Sequence, residues 1–332
     1  MKKIRIASLL MFAPLALLAS CSSAPTLILQ ANWYNDTSTK FIYDDFNEKL
    51  EYRMSFEKSV AASNGQFFMS YPNGGTYSVE FWSGDTGDGT KIYRYHTELH
   101  TEVVYYYEGV PSSTMPEVVE TYVEFLDVSN ELKPLKSWRE VHGTAPLTEP
   151  SSPYGSLEDC YAKLDYRMDV EYDLEAEEAT FTLTDLASEA TANDPTVTTI
   201  DTDGSGIFFD NEQLIPLLRA ADLSASMSMR TIDPTTRTLD RMTVKDGPTA
   251  VTVKQSVKLK TDDTPQERDF NAYEITIGYD KQNSGGAQKY TIAQRTSHYS
   301  NTYRNVCLKF EYPIIYSQGV LTYKLTAANF YN

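Results

Sequence analysis

The feature that most limits how this chain can fold is a period-two alternation of apolar and polar side chains, which recurs from about residue 50 almost to the end. In "LEYRMSFE", Leu50, Tyr52, Met54 and Phe56 take one side while Glu51, Arg53, Ser55 and Glu57 take the other. "TYSVEF" repeats the pattern with Tyr77, Val79 and Phe81, and "ATFTLT" sets Ala179, Phe181 and Leu183 against three threonines. "SASMSMR", "VTVKQSVKLK", "YEITIGY" and "LTYKL" obey the same rule. Successive side chains of a strand point to opposite faces, so these runs read as antiparallel strands with one dry and one wet face. Turn signals at 73–75, 83–89, 233–236 and 283–286 separate the runs.

About a dozen or more strands fit this template. "KIYRYHTELHTEVVYYYEGV" reads as one very long strand with a bulge or bend. Long twisted strands must coil or close, so the expected fold is mainly β: a large curved antiparallel sheet, as a half-barrel or open barrel. One segment breaks the rhythm. In "NEQLIPLLRAADL", Leu214, Leu217 and Leu218 have the i, i+3, i+4 spacing of a short amphipathic helix, which would bury its stripe in the concave side of the sheet. Pro216 suits the first residue of that helix. The segment 144–156 has three prolines and no periodicity. It is either a joint between two domains or, the better reading, a long loop within one β-rich domain spanning 41–332.

The N-terminus has a different character. Lys2, Lys3 and Arg5 precede an apolar run from Ile6 to Leu18, too short to span a bilayer and followed by small residues, which is the plan of a secretory signal over residues 1–20. Leu18-Ala19-Ser20-Cys21 resembles the lipobox of bacterial lipoproteins. The resemblance implies cleavage before Cys21 and lipidation of its thiol. Residues 21–40 would then tether a soluble domain to the cytoplasmic membrane's outer leaflet or to the outer membrane of a bacterial envelope. Acyl chains contribute about 0.8 kcal/mol per buried CH₂, so two or three of them anchor a protein durably.

The formal net charge of −17 opposes nucleic acid and other polyanionic partners. Besides Cys21 the chain has only Cys160 and Cys307. Cys160 falls in the apolar phase of its run and Cys307 in the polar phase with Lys309 and Glu311, so their opposite facings argue against a disulfide.

The meander of strands, interrupted by "FDNEQLIPLLRA", resembles the half-barrel envelope proteins related to the lipoprotein carriers LolA and LolB. It is more similar still to a branch of secreted relatives in which a "D…L…LR" helix separates two strand sets and "PLKS" follows an early strand. The matching residues here are Asp210, Leu214, Leu218 and Arg219, and Leu135 to Ser137. The resemblance covers about residues 45–330, implies a concave apolar surface that shelters lipid or another hydrophobic ligand, and carries no catalytic residues with it.

One loop has metal-binding chemistry. "DTDGSGIFFDNE" fills the slots of a twelve-residue calcium loop with Asp201, Asp203, Ser205, the Ile207 carbonyl and Glu212, with Gly206 at the turn. Its flanks are not helical, since Pro195 and β-branched residues precede it and Pro216 follows. The choice is between a structural calcium site and a solvated acidic turn; no other cofactor is suggested. "HTELHTE" puts His96, Glu98, His100 and Glu102 on one strand face, where a wet face of alternating charge is the simpler reading. His142 and His298 stand apart from any pattern. No nucleophile elbow, HExxH, CxxC pair or phosphate loop is present in the sequence.

The expectation is therefore a membrane-anchored, non-enzymatic lipoprotein that binds a hydrophobic or lipidic ligand or serves envelope maintenance. Two alternatives remain. A carbohydrate- or surface-binding module would show a row of exposed aromatics. A hydrolase would place one of His96, His100, His142 or His298 beside a carboxylate in a concave pocket. Replacing Cys21 with Ser should move the protein from the membrane fraction to the soluble fraction and abolish labelling by palmitate; unchanged membrane partitioning would contradict the anchor.

Overall fold

The computed structural model describes residues 47–128, 131–147, 149–150, 156–187, 195–202, 208–221, 223, 227–259, 262–280, 287–294 and 305–331. Cys21 and His298 lie outside these. The chain is mainly β, as its alternation requires. The first half contributes β1 (Asn47–Lys58), β2 (Phe67–Ser70), β3 (Gly75–Asp85), β4 (Lys91–Tyr107), β5 (Val110–Pro111), β6 (Met115–Val128) and β7 (Glu131–Pro146). Next come β8 (Tyr161–Asp173), β9 (Glu178–Asp185), β10 (Thr196–Asp201) and β11 (Phe208–Asp210). The last six are β12 (Ser228–Asp233), β13 (Thr238–Leu259), β14 (Gln266–Tyr279), β15 (Gln288–Ala293), β16 (Cys307–Ile314) and β17 (Gly319–Tyr331).

Antiparallel neighbours run β10–β9–β8–β7–β6–β4–β3–β1–β17–β16–β15–β14–β13–β12, with β11 added in parallel to β12. The sheet therefore continues across 144–156, with β7 paired directly to β8. At its far end β13 also pairs in parallel with β17 through Lys258↔Ala327 and Leu259↔Ala328. That contact closes β13 to β17 into a five-stranded barrel, and the remaining strands form the curved extension expected of such long strands. The long run beginning at Lys91 ends at Tyr107, where Glu108 and Gly109, both with positive φ, turn the chain into β5.

The dry phase predicted for each strand is the buried one. Leu50, Tyr52, Met54, Val79 and Phe81 join the main core, while Phe181 and Ala179 pack with Met168 and Val170 in a second cluster. Two cysteine readings are settled by burial. Cys160 and Cys307 are both free and both buried, with Cys307 in the main core and Cys160 beside Phe67, Met69 and Tyr105. Cys307 is thus not on a wet face as its alternation with Lys309 suggested. A register shift between Thr291 and Ile292 opposite it breaks the simple two-residue phase.

Among the described residues two α-helices accompany the sheet. One is a single turn, α1 (Val60–Asn64), capped by the Ser59 hydroxyl, which is too short to show periodicity in the sequence. The other is α2 (Leu214–Ala220), every residue of which is buried. It starts at Leu214, not Pro216, because a 3₁₀ turn over Asn211–Gln213 leads into it. Pro216 then sits in the first turn, where its missing N–H has no intrahelical partner to lose.

Arg219, near the end of α2, is completely buried. Its two terminal nitrogens donate to the two carboxylate oxygens of Glu48, also completely buried, at 2.6 and 2.9 Å. Glu48 shares the dry phase of β1 with Leu50, Tyr52 and Met54. The Arg219 carbonyl accepts from the Asn305 side chain at 3.0 Å. Breaking one half of a buried pair strands a charge, so Arg219→Met should cost about 3–5 kcal/mol. Replacing both partners with leucine should recover most of that loss. Urea unfolding of the two variants checks this, and a cost below about 1 kcal/mol for the single variant would contradict it.

Candidate functional site

The concave side holds a cavity of about 290 Å³ between two parts of the sheet. Its first wall comes from β3, β4, β6 and β7, where the inward row Tyr77, Leu99, Val119 is fixed by direct register. Its second wall is β16 and β17, which present Phe310, Tyr312, Leu321 and Tyr323. Aromatic contacts join the walls. Tyr77 meets Phe310 and Tyr323 edge-on at 5.4 and 5.3 Å between ring centroids, and Phe310 stacks on Tyr323 at 4.4 Å.

Each end of this apolar space has a charge. At one end Arg139 of β7 donates from Nη1 to Glu212 at 3.1 Å. Burial alone would discourage the guanidinium charge, but the Glu212 carboxylate holds it firmly protonated. The Arg139 Nε is buried and makes no hydrogen bond. At the other end lies Glu117 of β6, which accepts from the Thr144 backbone N–H at 3.3 Å and hydroxyl at 2.8 Å, with Tyr71 beside it. Burial raises its carboxyl above the usual range despite those donors. Arg139 opposes Thr121 across the β6–β7 pair. Thr121 and Glu117 are four residues apart on one strand, about 13 Å at strand rise. A pair of hydroxyls, Thr97 and Thr121 at 2.7 Å, floors the space between.

Glu212 owes its position to Asp210, two residues earlier. The Asp210 carboxylate is buried, caps the 3₁₀ turn by accepting from the Glu212 N–H at 2.8 Å, and accepts from the hydroxyls of Ser137 and, at 2.6 Å, Tyr172. Burial, reinforced by the charge of Glu212, pushes its pKa up to about 7 even though those hydroxyls favour the ionised form.

The calcium-loop residues are only partly described: Asp203, Ser205 and Ile207 lie outside the described residues. Asp201 ends β10, and Glu212 is the partner of Arg139 at the cavity. The described histidines, His96, His100 and His142, lie on the face opposite the cavity. His96 reaches Glu120 at 2.6 Å and His100 reaches Glu98 at 2.6 Å. His142 is not isolated, as sequence suggested, but bridges Asp165 at 2.7 Å and Glu140 at 3.0 Å, because β7–β8 register sets it opposite Asp165. The same outer face carries an aromatic row: Trp82, Tyr122 and Trp138, with centroid spacings of 6.2 and 6.0 Å, and Arg167 lying 4.4 Å over Trp138.

Sequence reasoning missed Tyr71, Glu117 and Arg139. The signal for the last two was present: Glu117 shares its phase with Val119 and Val123, and Arg139 with Val141, so each is a charge on a dry phase. Among the described residues no histidine or cysteine lines the cavity. The arrangement can hold an apolar chain and offer one N–H donor to it.

No family model matches this chain, and no curated protein matches it. Among solved structures it is similar to a β-barrel-like protein of a domain of unknown function, DUF1849, from Brucella abortus. The identity is 14%, covering 86% of this chain and 98% of that one, with a TM-score of 0.46.

The Asp210 carboxyl has a pH signature. Its folded pKa lies above the unfolded value, so the unfolded chain gives up this proton first, and raising pH from about 4 to about 7 destabilises the fold through this group. Asp210→Asn should remove that component. Urea unfolding at pH 5, 6, 7 and 8 should show wild type losing stability relative to the variant as pH rises; parallel profiles would contradict the assignment.

Proposed function

We propose that this protein is a non-enzymatic binder of a single-chain amphiphile, held outside the cytoplasm by a lipid on Cys21. The observation that carries the proposal is the tyrosine-lined concave cavity with an unpartnered, buried Arg139 Nε at one end. Its volume of about 290 Å³ is at the small end of ligand cavities, which suits one acyl chain and not a multi-chain lipid.

The charge balance specifies the head group. Arg139 is already neutralised by Glu212, and Glu117 stands at the far end. An anionic head would meet no net positive charge, so the fitting acceptor is uncharged, such as an ester or amide carbonyl or a hydroxyl. Such an acceptor would satisfy the Nε that the protein leaves unpaired, and a buried unpaired donor costs about 1–3 kcal/mol.

A second reading has its own observation. The row Trp82, Tyr122, Trp138 on the outer face is the geometry a glycan-stacking surface requires. The three residues are only partly exposed and Arg167 covers Trp138, which is why the cavity comes first.

Native mass spectrometry of the purified protein should show saturable uptake of a monoacylglycerol. Leu99→Trp, which fills the cavity from β4, should abolish uptake with the far-ultraviolet β signal intact. Uptake unaffected by the filling substitution, or no uptake by wild type, would overturn the cavity reading.

A further inference from the structure

We infer that the protein has a second, separate site that binds a phosphate-bearing ligand in a basic groove on the opposite face of β16–β17. Lys309 and Lys324 alternate with Phe310 and Tyr323, so they project away from the tyrosine cavity. Register sets Lys309 directly opposite Lys324, and Lys324 directly opposite Arg53 of β1. Three cations thus stand side by side on three adjacent strands. Like charges in directly opposed positions are destabilising.

Counter-charges inside the protein do not account for the row. Lys309 has Glu311 at 2.8 Å, but Arg53 and Lys324 have no hydrogen-bond or ion-pair partner among the described residues. The chain carries a formal charge of −17, so carboxylates to neutralise them were plentiful. The row instead faces a groove of about 640 Å³, into which β13 brings a fourth cation, Lys254, itself 2.7 Å from Glu267. Among the described residues Glu274 is the one carboxylate in the lining.

A concave site of this volume is in the range that takes small ligands. Clustered cations in a cleft concentrate the field there even on an acidic protein, because screening confines the surrounding negative charge to about 8 Å at physiological salt. Arginine and lysine together suit phosphate: the guanidinium gives a planar two-donor fork and the ammonium groups give point charges. The chain's net charge of −17 disfavours a long polyanion, which leaves a compact group: a small phosphorylated molecule or a single phosphorylated head group. The site does not depend on the cavity reading, since it shares no lining residue with it.

The test is calorimetric titration of the purified full chain with pyrophosphate at low ionic strength, alongside flotation with phosphatidylcholine vesicles with and without phosphatidylglycerol. The expected result is saturable one-to-one pyrophosphate binding that weakens with salt and falls at least about tenfold in Lys324→Gln and in Arg53→Gln, the loss of one charge-assisted contact. Both residues are exposed, so the variants should keep wild-type thermal stability or gain some as the repulsion is relieved. Lys136→Gln, outside the groove, should bind like wild type. Vesicle binding that requires phosphatidylglycerol and is lost in the same two variants would also support the site and identify the source as a lipid head group. No saturable binding of either probe, or binding equal in wild type and both variants, would overturn it.

Discussion

A buried ion pair between residues far apart in the chain holds this fold in register. Arg219 and Glu48 are 171 positions apart, and each is without solvent. Dehydrating two such ions costs several kcal/mol apiece, so the pair is not what makes the helix stable. That comes from Leu214, Leu217 and Leu218, each contributing about 1.5–3 kcal/mol when fully buried. The ion pair determines where the helix sits. An apolar stripe could slide along a concave sheet at little cost, whereas a stranded guanidinium cannot. Asp210 does the same at the other end, receiving hydroxyls from Ser137 and Tyr172. The helix is therefore fixed at both ends, to β1 at one and to β7 and β8 at the other.

The position of that helix shapes the concave cavity. The 3₁₀ turn after Asp210 carries Glu212 to Arg139, so the same anchor that seats the helix also sets the charge balance at one end of the tyrosine-lined space. The sheet then offers two chemically distinct faces. Inside are aromatic rings and one spare N–H; outside β16–β17 is a row of cations whose mutual repulsion no carboxylate fully relieves. Strand alternation makes this division possible, since neighbouring residues of one strand serve opposite sites.

Much of the architecture was legible in the sequence because period two is unambiguous when one face is wet. The dry phases of β1, β3, β9 and β14 were readable residue by residue, and so was the helix between the strand sets. Even the polar struts left marks. The motif residues Asp210 and Arg219 on one side and Ser137 on the other prove to be joined in space or to anchor the helix. Their partners were not legible, because register across distant strands is decided by turns, bulges and closure. Glu48, Glu117 and Arg139 appear in the sequence as charges on dry phases, a local inconsistency of the kind that marks a strut or a site. The opposed cations Arg53, Lys324 and Lys309 gave no such warning: each lies on the wet phase of an alternating strand, where a charge is ordinary, and only the pairing of β1, β17 and β16 puts them together. The start of α2 was misplaced by two residues because a 3₁₀ turn before it left no periodic trace.

Native-state hydrogen exchange of the 214–220 amides tests the central claim most directly, namely that the helix is locked inside the curved sheet by the Arg219–Glu48 ion pair at one end and the hydrogen-bonded Asp210 carboxyl at the other. The hydrogen-bonded amides of this segment should exchange only through global unfolding, with the same opening free energy as core amides of β1 such as Tyr52 and Met54. Exchange by a local opening much cheaper than that of β1 would show a helix resting on the sheet without being fixed to it, and would contradict the account.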